Sequence, residues 1–175
     1  MELIGQKGAV LKAHMSYIRQ QWGTDGLEDC SRSVGISFQD IRDEKFYPKS
    51  MDEDILRWIS ARGMEHVRRS GAHAVSNLGA LAYVVRFMDI RTMLRHAEQS
   101  YFDTFNYGGL RVLYREGEKS ALVEMTADRR TEEQCTAWLG VFQGILSLTR
   151  TKGTVEHTRC VNKGDTVCEY RLRWA

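Results

Sequence analysis

Proline is almost missing from this 175-residue chain, and Pro48 is its only instance. Long helices can therefore run without the break that a pyrrolidine ring imposes. No run of about 18 apolar residues occurs, so the sequence predicts no membrane span. The start, MELIGQKGAVLKAHM, lacks a basic head followed by a long apolar block and does not read as a secretory signal. Charge of one sign is also lacking: 25 Lys and Arg stand against 23 Asp and Glu, interspersed, for a net +2. That balance argues against nucleic acid as a partner. Cysteine is sparse, with Cys30, Cys135, Cys160 and Cys168. With no signal peptide, four thiols predict reduced cysteines or a metal rather than a disulfide framework, and cytoplasmic residence follows as the default. Repeats, low-complexity tracts and linkers are absent, so one domain over 1–175 is expected.

What is present divides by period. Val10, Leu11, Met15, Ile18 and Trp22 lie at helical spacing and predict an amphipathic helix ending near Gly23. A short second helix follows over TDGLEDCSRSVG. Ser50, with Glu53 three residues on, reads as a capping box for a helix carrying Ile55, Leu56 and Ile59. Gly63 and Gly71 read as breaks. Two helices are predicted over 73–86 and 89–105, with NYGG ending the second. After Gly109 the period drops to two. Leu110, Val112 and Tyr114, then Ala121, Val123 and Met125, predict a hairpin around REGEKS. Helical period returns from Cys135 to Leu146, with Thr131 as N-cap, and strands follow over 153–162 and 166–174. The fold class is α+β: N-terminal helices packed on a four-stranded antiparallel sheet, with a β-β-α-β-β C-terminal unit.

In the last strand Cys168, Tyr170, Leu172 and Trp174 share one face, which the apolar pattern turns toward the helices. Neither face of the partner strand is cleanly apolar, so a bulge is expected near 157–160. Cys160 and Cys168 flank an Asn-Lys-Gly-Asp turn. Buried thiols, a metal site and a Cys160–Cys168 cross-link all remain open at this point.

These residues resemble a known family. The pattern is Cys135 in a glycine-bearing helix with Gly140 and Gly144, then Cys160-x3-Gly164-x3-Cys168-Glu-Tyr170. It resembles the 4-vinyl-reductase domain. It is also similar to the myxobacterial-type paralogous domains that end in C-x3-G-D-x2-C-E-Y-x-x-x-W. Both belong to the broader fold shared with haem–nitric-oxide-binding domains and Bet3-like TRAPP subunits. The likeness is close over 131–175 and looser over 47–130. It implies a non-catalytic sensory domain that binds a small, mostly apolar molecule, usually paired as a homodimer. The alternative that it implies is a protein-interaction module without ligand. In phenol-sensing activators of this kind, zinc is held by three cysteines and a glutamate. Carried over by position, the ligands here are Cys135, His157, Cys160 and Cys168, with His157 departing from the glutamate; imidazole suits zinc equally well.

Haem is set aside on the sequence, because the Tyr-x-Ser-x-Arg signature of the haem–nitric-oxide domains is absent. His96, mid-helix, is the one candidate iron ligand. His14, His66 and His73 read as solvated. Among many large rings, Tyr83, Phe87, Tyr101, Phe105 and Trp138 are the candidate lining of an apolar pocket. Gly-x-Ser-x-Gly, His-Glu-x-x-His and Gly-x-Gly-x-x-Gly are all missing, so no enzyme is predicted.

Overall fold

The C-terminal half folds as its alternation requires. The computed structural model describes residues 3–77, 87–115, 117–126 and 129–175. Strands β3 (Gly109–Tyr114), β4 (Ser120–Thr126), β5 (Gly153–Arg159) and β6 (Cys168–Trp174) form one antiparallel sheet in the order β3-β4-β6-β5. The last strand of the chain thus lies in the sheet interior, paired on one side with β4 and on the other with β5. A second, two-stranded ribbon, β1 (Gly5–Lys7) with β2 (Phe46–Pro48), ties the N-terminus to the loop before the next helix. Three residues per strand gave the sequence no period to read.

The helices among the described residues are α1 (Gly8–Val34), α2 (Lys49–Ser60), α3 (Met64–Ser76), α4 (Ile90–Thr104) and α5 (Glu132–Leu148). None of the described helices is long and apolar enough to cross a membrane. The break expected at Gly23 is real: its φ of 69° interrupts α1 and splits it into the two helices that the sequence predicted. Thr131 caps α5 as expected, its hydroxyl accepting from the Gln134 amide while the Gln134 side chain accepts from the Thr131 N–H. The Ser50 capping box does not form. Helix α2 already starts at Lys49, straight after β2, so Ser50 lies inside it and its N-cap residue is Pro48. Residues 78–86, which carry most of the helix predicted over 73–86, lie outside the described residues.

Gly71 corrects the sequence in an instructive way. It does not break α3 but sits within it, because a Cβ there would overlap the Ala137 carbonyl of α5. From the other side, a Cβ on Gly140 would overlap the Arg68 carbonyl of α3, and Gly144 faces Ala72. Two helix backbones meet here with no side chain between them. Around this contact lie two apolar clusters. One, on the sheet side, includes Leu94, Tyr101, Met125, Phe142, Cys168 and Tyr170. The other, among α1, α2 and α3, includes Leu11, Met15, Ile18, Ile55 and Val67. Helix α5 contributes Cys135 to the first and Ala137 to the second.

The expected cost of Gly140→Ala is that of overpacking with no room to yield, about 1–3 kcal/mol or more. Ser147→Ala, exposed on the same helix, is expected to stay within about 0.5 kcal/mol. Urea unfolding of the two variants checks the contrast.

Candidate functional site

Two sets of chemistry-bearing residues flank α5. The first is the sulfur cluster. The α5 N-terminus presents Cys135, the end of β5 leads through His157 to Cys160, and β6 opens with Cys168. In a regular strand His157 and Cys160 would face opposite ways. The expected bulge is present: the β5–β6 register shifts between His157 and Arg159, where Thr158 donates its hydroxyl hydrogen to the Glu169 carboxylate at 2.6 Å. That extra residue brings both groups to one side. Beyond it, a short 3-10 turn over Val161–Lys163 ends at Gly164, whose φ of 95° suits glycine. Asp165 accepts from the Cys160 amide at 2.8 Å and closes the loop.

Cys135 Sγ lies 3.9 Å from Cys160 Sγ and 3.7 Å from Cys168 Sγ. All four cysteines of the chain are free thiols, so the Cys160–Cys168 cross-link does not form. One ligand atom from each of Cys135, His157, Cys160 and Cys168 fits within 4.8 Å of the others. His157 stacks on Tyr170 with ring centroids 4.5 Å apart, and its Nε2 is buried with no hydrogen-bond partner among the described residues. The Tyr170 hydroxyl donates to the Cys135 carbonyl at 2.8 Å and locks β6 to α5. Cys135 donates its proton toward Cys168, which, with His157 beside it, holds the Cys168 thiol down at about 4. The same hydrogen bond, together with burial, pushes Cys135 up. The pair thus favours one thiolate over two thiols, the state from which a metal is bound.

The second set lines a cavity of about 650 Å³ bounded by α1, α4 and α5. Of the candidate pocket residues, Tyr101, Phe105 and Trp138 lie on its wall, and their rings pack on one another at 4.8–5.9 Å. Phe87 does not join them. It is 77% exposed, beyond the start of α4, where helical period no longer governs its direction. Tyr83 lies outside the described residues. His96 stands on the α4 wall with Met93, Ala97 and Tyr101.

The structure also corrects the histidines read as solvated. His14 is only 5% exposed and its Nδ1 lies 3.0 Å from the Ser70 hydroxyl. His66 meets the Tyr17 hydroxyl at 2.9 Å, and His73 is half-buried beside Ser16. The reason lies in α3, whose Gly71 contact with α5 leaves its next face to pack on α1. Two further groups were missed. Asp52, in the first turn of α2, is buried and lines the cavity beside His14, with Nε2 to Oδ1 at 3.7 Å. Arg130 is also buried. Its Nη2 reaches the Tyr101 hydroxyl at 3.4 Å, while its Nε has no partner among the described residues.

No family model matches the chain, and no curated protein matches it. Solved structures do. An H-NOX protein from S. oneidensis in the Fe(II)NO ligation state is 15% identical, with a TM-score of 0.76 over 97% of this chain and 99% of its own. A structure solved to study H-NOX activation is 14% identical, with a TM-score of 0.75 over 96% of each chain. One solved to modulate haem redox potential through porphyrin distortion is 15% identical, with a TM-score of 0.75 over 95% of this chain and 99% of its own. The chain has the α+β fold of the haem–nitric-oxide-binding domains. The expectation against haem is overturned by this finding, since structures that share the fold include ones described by their haem. A signature of three residues was too narrow a test.

Burial moves His14 and Asp52 in opposite senses. Desolvation, with His73 nearby, lowers His14 to about 4. Desolvation, opposed by the Gln134 side chain, raises Asp52 to about 7. Between pH 4 and 6.5 the unfolded chain binds the extra proton at position 14, and the folded chain holds it at position 52. Stability therefore rises with pH on account of His14 and falls on account of Asp52, each by up to about 1.4 kcal/mol per unit. The two nearly cancel. Asp52→Asn is expected to uncover the His14 slope, so that its stability relative to wild type grows from pH 4 to 7 and then levels. Urea midpoints across that range check it; a constant difference contradicts it.

Proposed function

We propose that this chain is a non-catalytic sensor domain whose cavity takes a small, mostly apolar molecule, and that haem held through His96 is that molecule. The observation that carries the reading is His96 on the wall of a ligand-sized cavity, mid-helix on α4, with no hydrogen bond to another described residue. Apolar walls from Met93, Ala97, Trp138 and Ile145 suit the faces of a macrocycle, and Lys12 and Arg19 on α1 supply cations for its carboxylates. Bound haem would supply an iron that coordinates a small gas ligand. The share of the protein is to hold the ring, exclude water from its apolar faces and carry the imidazole. The fold common to H-NOX structures supports this reading. No reaction is assigned, because the three thiols beside His157 are all buried and a substrate does not reach them.

Reconstitution with haem, followed by absorption spectroscopy, tests it. The expected result is a Soret band at about one equivalent, shifted or lost in His96→Ala. No retained haem at any stoichiometry contradicts it.

The sulfur cluster supports a second reading, a closed structural zinc centre of Cys135, His157, Cys160 and Cys168. Zinc–sulfur bonds of about 2.3 Å at a tetrahedral angle place two sulfurs about 3.8 Å apart, and two of the sulfur pairs here lie at 3.7 and 3.9 Å. The orphaned His157 Nε2 completes four donors, and the likeness to the zinc-holding 4-vinyl-reductase domains falls on the same positions. Elemental analysis is expected to find about one zinc per chain, and Cys160→Ser to lower that content at least about tenfold in the presence of a competing chelator. Metal-free protein with unchanged stability after exhaustive chelation contradicts this reading and leaves the first intact.

A further inference from the structure

The turn between β5 and β6 carries Cys160, and it is closed on itself at several points. The Lys163 amide donates to the Cys160 carbonyl at 2.9 Å, the Asp165 amide to the same carbonyl at 3.2 Å, and the Gly164 amide to the Val161 carbonyl at 3.2 Å. The Asp165 carboxylate accepts from the Cys160 amide in return, and Gly164 ends the turn in the left-handed conformation. A turn held this way leaves its side chains little freedom of direction. Asn162, at its centre, sends its side-chain amide across to α5, where Nδ2 lies 3.8 Å from Cys135 Sγ. Asn162 is exposed, whereas Cys135 is buried. An exposed amide has water for a partner, yet this one is directed at a buried sulfur. Among the described residues, no other side chain from outside the cluster is hydrogen-bonded to one of its sulfurs. The charge of the proposed centre gives such a donor a purpose. Zinc with three thiolates and one neutral imidazole carries one net negative charge, and a buried charge is costly unless hydrogen bonds meet it.

We propose that Asn162 is a positioning residue of the sulfur centre, its side-chain N–H directed at the Cys135 thiolate that a bound metal requires. The inference rests on the zinc reading of that centre and not on the choice of cavity ligand. A neutral thiol is a weak acceptor. Metal binding leaves a thiolate in its place, and a hydrogen bond to an ionised acceptor is roughly twice as strong as one between neutral groups. The Asn162 bond therefore strengthens when metal binds and favours the loaded state over the empty one. It also fixes where the sulfur points, because the donor comes from the turn that supplies Cys160 and the acceptor from the first turn of α5. One turn thus delivers one ligand and orients another.

Zinc affinity of the full chain, measured by competition with a chromophoric chelator, tests the proposal. Asn162→Leu keeps the bulk and removes the donor, and it is expected to hold zinc about tenfold more weakly. Asn162→Asp sets a carboxylate beside the thiolate and is expected to weaken zinc further. Lys163→Ala, exposed on the same turn, is expected to stay within about twofold of wild type. Cobalt(II) in place of zinc reads the sulfur itself, since hydrogen bonds to a ligating thiolate tune its bond to the metal. Its sulfur-to-metal charge-transfer band is expected at longer wavelength in Asn162→Leu and unmoved in Lys163→Ala, a shift that a merely structural role would not produce. In wild-type protein loaded with an NMR-active cadmium isotope, the Asn162 side-chain amide proton is expected to couple to the metal nucleus, which keeps the test decisive if a variant fails to fold. Unchanged zinc affinity in Asn162→Leu, an unmoved cobalt band or an absent cadmium coupling overturns the proposal and leaves the zinc reading standing. Wild-type protein that takes up no zinc defeats the zinc reading and the proposal with it.

Discussion

The contact on which the rest depends is the backbone-to-backbone packing of α3 on α5. Gly71, Gly140 and Gly144 let the two helices approach until carbonyl oxygens of each stand where the β-carbons of the other would be. Close packing of this kind is intolerant, because interiors are as dense as organic crystals and no rotamer can relieve a β-carbon set against a backbone carbonyl. It fixes the axial position and rotation of α5. Helix α5 then carries residues of both sites: Cys135 in the sheet-side cluster, Gln134 beside Asp52, and Trp138, Val141 and Ile145 on the cavity wall.

Two buried polar systems sit on either side of that helix and meet the cost of burial differently. The thiols lower theirs by sharing a proton, with an imidazole stacked on Tyr170 beside them and the Tyr170 hydroxyl anchored on α5. The cavity wall keeps a histidine neutral and holds a carboxyl well above the usual carboxylate range, both by burial. Arg130, buried with its Nε unpaired, lies close enough to lower the titration of Asp52, Tyr101 and Cys168. Its charge thus reaches both systems from the segment that leads into α5.

The sheet was legible because its signal is local. Alternation put Cys168, Tyr170 and Leu172 on one face, and all three are fully buried. Even the bulge before Cys160 could be anticipated, since neither row of β5 was apolar enough to choose a side. The four residues of the sulfur cluster were named from a resemblance and are brought together. The polar wall was invisible for the opposite reason. His14 lies on the apolar side of α1, three residues after Leu11 and four before Ile18, where a polar side chain interrupts the pattern, and Asp52 occupies a first turn, where acidic residues serve the helix dipole. Only the α3–α5 contact, which Gly71 permits and which the sequence read as a break, decides that these groups go inside. Ring content carries no direction, and Phe87 stands 77% exposed.

Amide hydrogen exchange along α5 tests the placement most directly. If the glycine contact with α3 holds α5 as described, amides over 136–146 should exchange only through global unfolding, as slowly as the most protected amides of β6. Exchange of that stretch within minutes, while β6 stays protected, would show α5 opening on its own and would remove the common wall from both sites.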